Sequence, residues 1–180
     1  MKQTKAFYIP FAGLKLGKHT FEYNVDNKFF ESFGYQEFND ADIAITAELN
    51  KMNTMMEFQF DAKGTVNVNC DVTNEPFNQQ IDATMHLVVK FGEEFNDEDD
   101  EILILPHGEH QVNIAQYLYE MLVLAVPQKR VHPGVEDGTL DSPMLDKLEE
   151  LQPKIEEDTI KKEDNTDPRW DGLKKLLTDK

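Results

Sequence analysis

The chain has 180 residues, a formal net charge of −17, 39% hydrophobic residues and one cysteine. The length suits one domain with an appended tail, and a lone cysteine excludes both an intramolecular disulfide and a multi-cysteine metal site within one chain. The negative field repels phosphate backbones and attracts basic surfaces.

No stretch approaches the roughly 20 apolar residues of a membrane span. The apolar piece Phe7-Tyr8-Ile9 is too short for the centre of a signal peptide. The cytoplasm is therefore the expected compartment, with neither a membrane nor DNA as a partner.

In chain order, residues 6–11 and 19–25 are rich in aromatic and β-branched types and read as strands, with Gly13 and Gly17 breaking the chain between them. Ile43, Ile45, Ala47 and Leu49 then alternate with Asp42, Thr46 and Glu48, the period of a half-buried strand. Three further strands follow on the same pattern. Met56, Phe58 and Phe60 form the first, Val66, Val68 and Cys70 the second, and Ile81, Ala83, Met85, Leu87 and Val89 the third. The links at residues 51–54 and 62–64 are short enough to join only antiparallel neighbours, as in a meander. Residues 71–78 contain Pro76 and read as a loop.

Residues 93–101 are an acidic run that cannot bury itself and reads as a mobile loop. A short apolar strand at 102–105 ends at Pro106. Asn113 with Gln116 is an acceptable capping pair for a helix over residues 114–126, apolar on most faces and stopped by Pro127. Beyond Gly134 the composition turns charged, and only Met144, Leu145, Leu148 and Leu151 suggest a short amphipathic helix. Near the end, Asp167 can cap a last helix with Pro168 at its first position, and Trp170, Leu173 and Leu177 share one face.

The expected fold is α+β: an antiparallel, barrel-like sheet packed by one long buried helix, then an acidic flexible tail and a C-terminal helix. The expected divisions are a core domain at 1–133, an acidic linker at 134–166 and a helical motif at 167–180.

Two cationic patches stand out. Lys129, Arg130 and His132 form the first, where the bland reading is a favourable pairing with a helix carboxyl end. Arg169, Trp170, Lys174 and Lys175 form the second; Arg and Trp can stack on a base or a peptide, or Trp170 can dock the tail on the sheet. His107 and His110 flank Gly108-Glu109, but no nucleophile, phosphate loop or supporting carboxylate is placed beside them, so a polar turn is the reading and no catalytic residue is assigned. The acidic run lacks the spacing and glycine of a calcium loop.

Three stretches carry a family resemblance: Cys70-Asp71-Val72-Thr73-Asn74-Glu75-Pro76-Phe77, the helix running into Pro127-Gln128-Lys129-Arg130-Val131-His132-Pro133, and Asp167-Pro168-Arg169-Trp170 followed by Leu173-Lys174-Lys175-Leu176. Together they resemble the YceD family of large ribosomal RNA subunit accumulation proteins. The resemblance implies a role in accumulation or maturation of large-subunit ribosomal RNA. Beside it, the charge distribution leads us to expect a large-subunit ribosomal protein or pre-ribosomal particle as partner, local ribosomal RNA contact through the basic patches, and no cofactor.

Family members often carry a Cys-x-x-Cys in the first stretch and a further cysteine after the helix. Here Thr73 and His132 stand at those places. Cys70 and His132 are the remaining metal candidates, and the expectation is that packing and hydrogen bonds replace a metal. Rival readings are an RNA-processing enzyme with acids holding magnesium near a basic groove, a small metal-sensing module, and a general acidic chaperone.

Overall fold

The computed structural model describes residues 6–99 and 101–152. Its elements run β1 (Tyr8–Ile9), β2 (Gly17–Asp26), α1 (Asn27–Ser32), β3 (Asp40–Lys51), β4 (Met55–Asn69), β5 (Pro76–Gly92), β6 (Ile102–Pro106), β7 (Val112–Asn113), α2 (Ala115–Ala125), α3 (Pro133–Glu136) and α4 (Pro143–Leu151). The packed unit extends to Leu145; a second unit begins at Asp146, and only the end of α4 is described in it.

The apolar–polar alternation builds a five-stranded sheet in the order β2-β3-β4-β5-β6, and β1 pairs with β7 as a separate small ladder. One face is buried: Ile43, Ile45, Ala47 and Leu49 of β3, Met56, Phe58 and Phe60 of β4, Leu87 and Val89 of β5, and Leu103 and Leu105 of β6. Phe58 and Phe60 stack with centroids 5.6 Å apart. The other face carries Glu22, Glu48, Asp61 and Asp82 in solvent. An antiparallel sheet with one wet face needs this alternation.

The sheet departs from the sequence reading in three ways. It is open and does not close into a barrel: β2 and β6 end the order unpaired with each other. The 62–64 link does not exist, because β4 runs unbroken through it, with Ile43 opposite Gly64 and Gly64 opposite Ile81. Glycine is needed there because a methyl group would strike the Asp42 carbonyl oxygen and lie 2.6 Å from Ile43 Cα. Gly64 therefore marks a close approach of two backbones and not a turn. Finally, β6 lies parallel to β5, Val88 facing Ile102. The acidic run makes this possible by looping back so that Asn96 bridges Ile104 on the far side of β6, with Ile104 N–H donating to the Asn96 carbonyl at 2.8 Å.

The expected long buried helix is instead the 11-residue α2, which buries Ala115, Leu118, Met121 and Leu122 along one face. Leu124 on it is 82% exposed. Its start does use Asn113, whose Oδ1 accepts the Ala115 N–H at 2.9 Å, but Gln116 reaches forward to Glu120 and not back to the cap.

Much of the remaining core comes from α1, a helix the periodicity did not suggest. It is only six residues long, too short to form without tertiary packing. Phe29 and Phe30 are buried on it, and Phe29 packs on Phe7 at 4.9 Å and Phe30 on Phe38 at 4.8 Å. Behind the core, the Lys51 ammonium ties down the N-terminal loop by donating to the carbonyls of Phe11 at 2.7 Å and Leu14 at 2.8 Å. The short helix suggested by Met144, Leu145, Leu148 and Leu151 is present as α4.

Candidate functional site

Two of the three stretches singled out in the sequence, the Cys70 turn and the segment after α2, meet at one end of the sheet. There the turn from β4 into β5 touches the loop that leaves α2. Pro127 and the extended Val126, with φ −74° and ψ 128°, end the helix and send the chain across this turn.

Cys70 and Arg130 are the joints. The Asp71 N–H donates to the Arg130 carbonyl at 2.8 Å, and the Arg130 N–H returns to Asp71 Oδ2 at 2.7 Å. The turn itself closes on two more bonds: Cys70 N–H to the Glu75 carbonyl and Asn74 N–H to the Cys70 carbonyl, both 2.8 Å. Asn74 takes a left-handed conformation, φ 62°, which asparagine tolerates better than most side chains.

The Cys70 sulfur is buried, and Sγ accepts the His132 N–H at 3.3 Å. Burial pushes the thiol up. Hydrogen bonds from the Thr73 hydroxyl and from the backbone N–H groups of His132, Thr73 and Val72 outweigh it, so the thiol is held below its ordinary value. Thr73 is itself buried, and its Oγ1 accepts the Glu75 N–H at 3.3 Å.

His132 meets the sulfur with its backbone and not with its ring. The ring Nδ1 accepts the Gly134 N–H at 2.9 Å, which caps α3 and leaves the proton of the neutral ring on Nε2. The ring also meets Phe77 edge-on at 5.5 Å. The donor set therefore does not fit a metal: Nδ1 is engaged, Thr73 offers a hydroxyl, and among the described residues no three His, Cys, Asp or Glu side chains converge to hold an ion.

The guanidinium of Arg130 is not a free cation. It donates to Glu37 Oε2 at 3.2 Å and lies 3.5 Å from Asp71 Oδ1, with its side chain only 25% exposed. Lys129 beside it is exposed. Around them an open cavity of about 560 Å³ is lined by Gln36, Glu37, Asn39, Asn69, Asp71 and Arg130 among others. A row of amides crosses its rim: Asn39 donates to Asn67 at 3.0 Å and to Asn69 at 2.8 Å, and Asn67 donates to Asn78 at 2.7 Å.

Of the candidate residues, the structure thus brings Arg130 and His132 together with Cys70 and leaves Lys129 at the edge. Asp167, Pro168, Arg169, Trp170, Lys174 and Lys175 lie outside the described residues. The sequence reading did not single out the amide row or Glu37. The alternation that put Asn67 and Asn69 on the wet face was a visible signal for the first; nothing local announced the second, which is 93 residues from Arg130.

An open α+β sheet whose cysteine turn is closed by hydrogen bonds, joined to a proline-terminated helix, is the class of protein that these features define. A family model described as large ribosomal RNA subunit accumulation protein YceD matches residues 58–177. Comparison with curated proteins and with solved structures gave no match. The match covers more than half of the chain and takes in the Cys70 turn, α2 and the Asp167-Pro168-Arg169-Trp170 ending, and the chain belongs to the YceD family. The family's description ties it to accumulation of large-subunit ribosomal RNA. Among the described residues no helix is long and apolar enough to cross a membrane.

Proposed function

We propose that this protein is a non-enzymatic accessory factor in large-subunit ribosomal RNA accumulation, and that it acts by holding a basic protein of the nascent particle. One observation carries the choice of protein over RNA as the main partner. The cation best placed to meet phosphate, Arg130, is already paired with Glu37 and Asp71. Most surface carboxylates, by contrast, lack a cation: the ion pairs among the described residues occupy only Asp82, Glu37 and Asp71. A surface of that kind attracts Lys- and Arg-rich chains and repels nucleic acid.

On this reading, the contact that selects the ribosomal particle falls to exposed Lys129 and to Asp167, Pro168, Arg169, Trp170, Lys174 and Lys175. His132 holds the loop that presents Lys129. Ribosomal RNA contact through these few positions is local and salt-sensitive.

Crosslinking in cells, followed by identification of bound protein and RNA, tests the reading. Large-subunit components should dominate the captured material, and replacing Arg169 and Trp170 together by Ala should reduce association with the particle while the thermal unfolding midpoint stays unchanged. A capture spread over unrelated basic proteins, or a double variant that associates normally, contradicts it.

A further inference from the structure

One flank of α2 carries a feature that the Cys70–Arg130 end does not explain. A cavity of about 400 Å³ opens between α2, β6 and the acidic run, floored by buried Leu103, Leu105 and Val112. Phe95, 57% exposed, and Tyr8, 40% exposed, stand over it. Further along the same helix a second cavity of about 480 Å³ is lined by Met85, Met121 and the exposed Leu124. Tyr117 and Glu120 line both cavities, so the two adjoin along α2 and together form the grooved flank of this helix.

Exposed large apolar side chains clustered in one concave strip mark a contact surface more often than scattered ones do. All the charged residues that line the two cavities are acidic. Asp97, Asp99, Glu109 and Glu120 border the first cavity, and Asp82 and Glu120 the second. Tyr117, between them, has its hydroxyl pushed up to about 12 by burial and by the negative charge of Asp97 and Glu120. The described ion pairs leave the four acids of the first cavity without a cation.

We infer that this groove binds a segment of a basic protein in which Lys or Arg residues alternate with aliphatic ones; the inference rests on the reading above and locates where such a partner docks. The chemistry matches on both counts. The stems of Lys and Arg are apolar and their heads charged, so a stem lies on Tyr8, Phe95 or Tyr117 while the head meets the carboxylate rim. An aliphatic neighbour fills the Met85–Met121–Leu124 end. An aromatic face beside carboxylates adds cation–π attraction.

Other occupants match less well. Nucleic acid would bring phosphates to four carboxylates. A second copy of this chain carries the same −17 charge, so two copies repel each other over the long range. A divalent ion needs convergent ligands, and the described residues offer no such group.

The test uses the full chain and two labelled peptides of equal positive charge, one with Leu between Arg residues and one with Ser. Fluorescence anisotropy at low salt should show the Leu peptide binding about tenfold more tightly. Leu124→Ser and Glu120→Lys should each weaken it by about tenfold, whereas Glu22→Lys, the same charge change on the far edge strand, should alter it less than about twofold. Circular dichroism checks that the surface variants remain folded.

Equal weakening by Glu22→Lys and Glu120→Lys would overturn the groove and leave the wider reading standing, since attraction would then come from the whole field. Failure of both peptides to bind would count against both. A poly-uridine oligonucleotide displaced by Leu124→Ser, or a dimer in sedimentation abolished by that variant, would assign the groove to RNA or to self-association and overturn the inference.

Discussion

Cys70 shows how one side chain joins two segments, its own turn and the loop after α2. Its sulfur accepts the backbone N–H of His132 across 62 residues of sequence. Cys70→Ala removes that acceptor and leaves a partly buried N–H unpaired, so the expected loss is about 1–3 kcal/mol. Cys70→Ser keeps an acceptor and should lose less. Urea unfolding midpoints decide it, and an Ala variant as stable as the parent would show that the sulfur contributes packing alone.

Tyr117 gives a second, spectroscopic handle. Its neutral form is favoured in the folded chain, with the hydroxyl raised from 10.0 to about 12. A group whose folded value is raised contributes stability that is complete below its unfolded value. The contribution of Tyr117 is therefore intact below pH 10.0 and disappears as pH climbs towards 12. Absorbance titration of phenolate should show a component near 12 that Tyr117→Phe abolishes and that Glu120→Gln moves down. A component unmoved by Glu120→Gln would remove the carboxylate from the cause.

At the scale of elements, the long strands owe their shape to one small residue. β4 is 15 residues long and β5 is 17. At Gly64 the neighbouring backbone of β3 comes so close that any side chain collides with main-chain atoms, which cannot move aside cheaply. Gly64→Ala should cost about 3 kcal/mol or more, as overpacking against a rigid neighbour does. Chemical denaturation of the soluble variant gives the number; a loss below about 0.5 kcal/mol, the scale of an ordinary surface change, would mean that the strands can part at this point.

The element scale also shows where reading by period works. Nearly strict alternation at 42–49 and strict alternation at 56–60 located β3 and the first half of β4, because a residue at every second position faces the core. The same rule misread 62–64. Ala62-Lys63-Gly64 resembles turn composition, yet the even positions simply continue on the inner face through Ala62, Val66 and Val68. For α2, Pro127 and Asn113 fixed the ends closely. Apolar content overstated its burial, since Leu118 and Leu122 meet the sheet while Tyr117 and Leu124, seven residues apart, share another face turned to the groove.

For the whole molecule, the charge of −17 is the dominant long-range property. Raising salt from about 0.1 M to about 1 M shortens the screening length from about 10 Å to about 3 Å. Association with a basic large-subunit protein should accordingly weaken by about tenfold or more over that range. Surface plasmon resonance across a salt series measures it, and an affinity independent of salt would shift the contact to apolar groups alone.

The sequence by itself determined the period-two strands, the proline stop after α2, the acid excess and the family to which the chain belongs. These are properties of neighbouring residues or of totals, and both survive without knowledge of the fold. Tertiary structure alone decided that β6 runs parallel to β5, that α1 completes the core and that Glu37 and Asp71 neutralise Arg130. It also decided that the helix exposes Leu124 beside an acid-rimmed groove. Each of these depends on groups tens of residues apart meeting in space, where burial and charge are set by the neighbour across the fold and not by the neighbour along the chain.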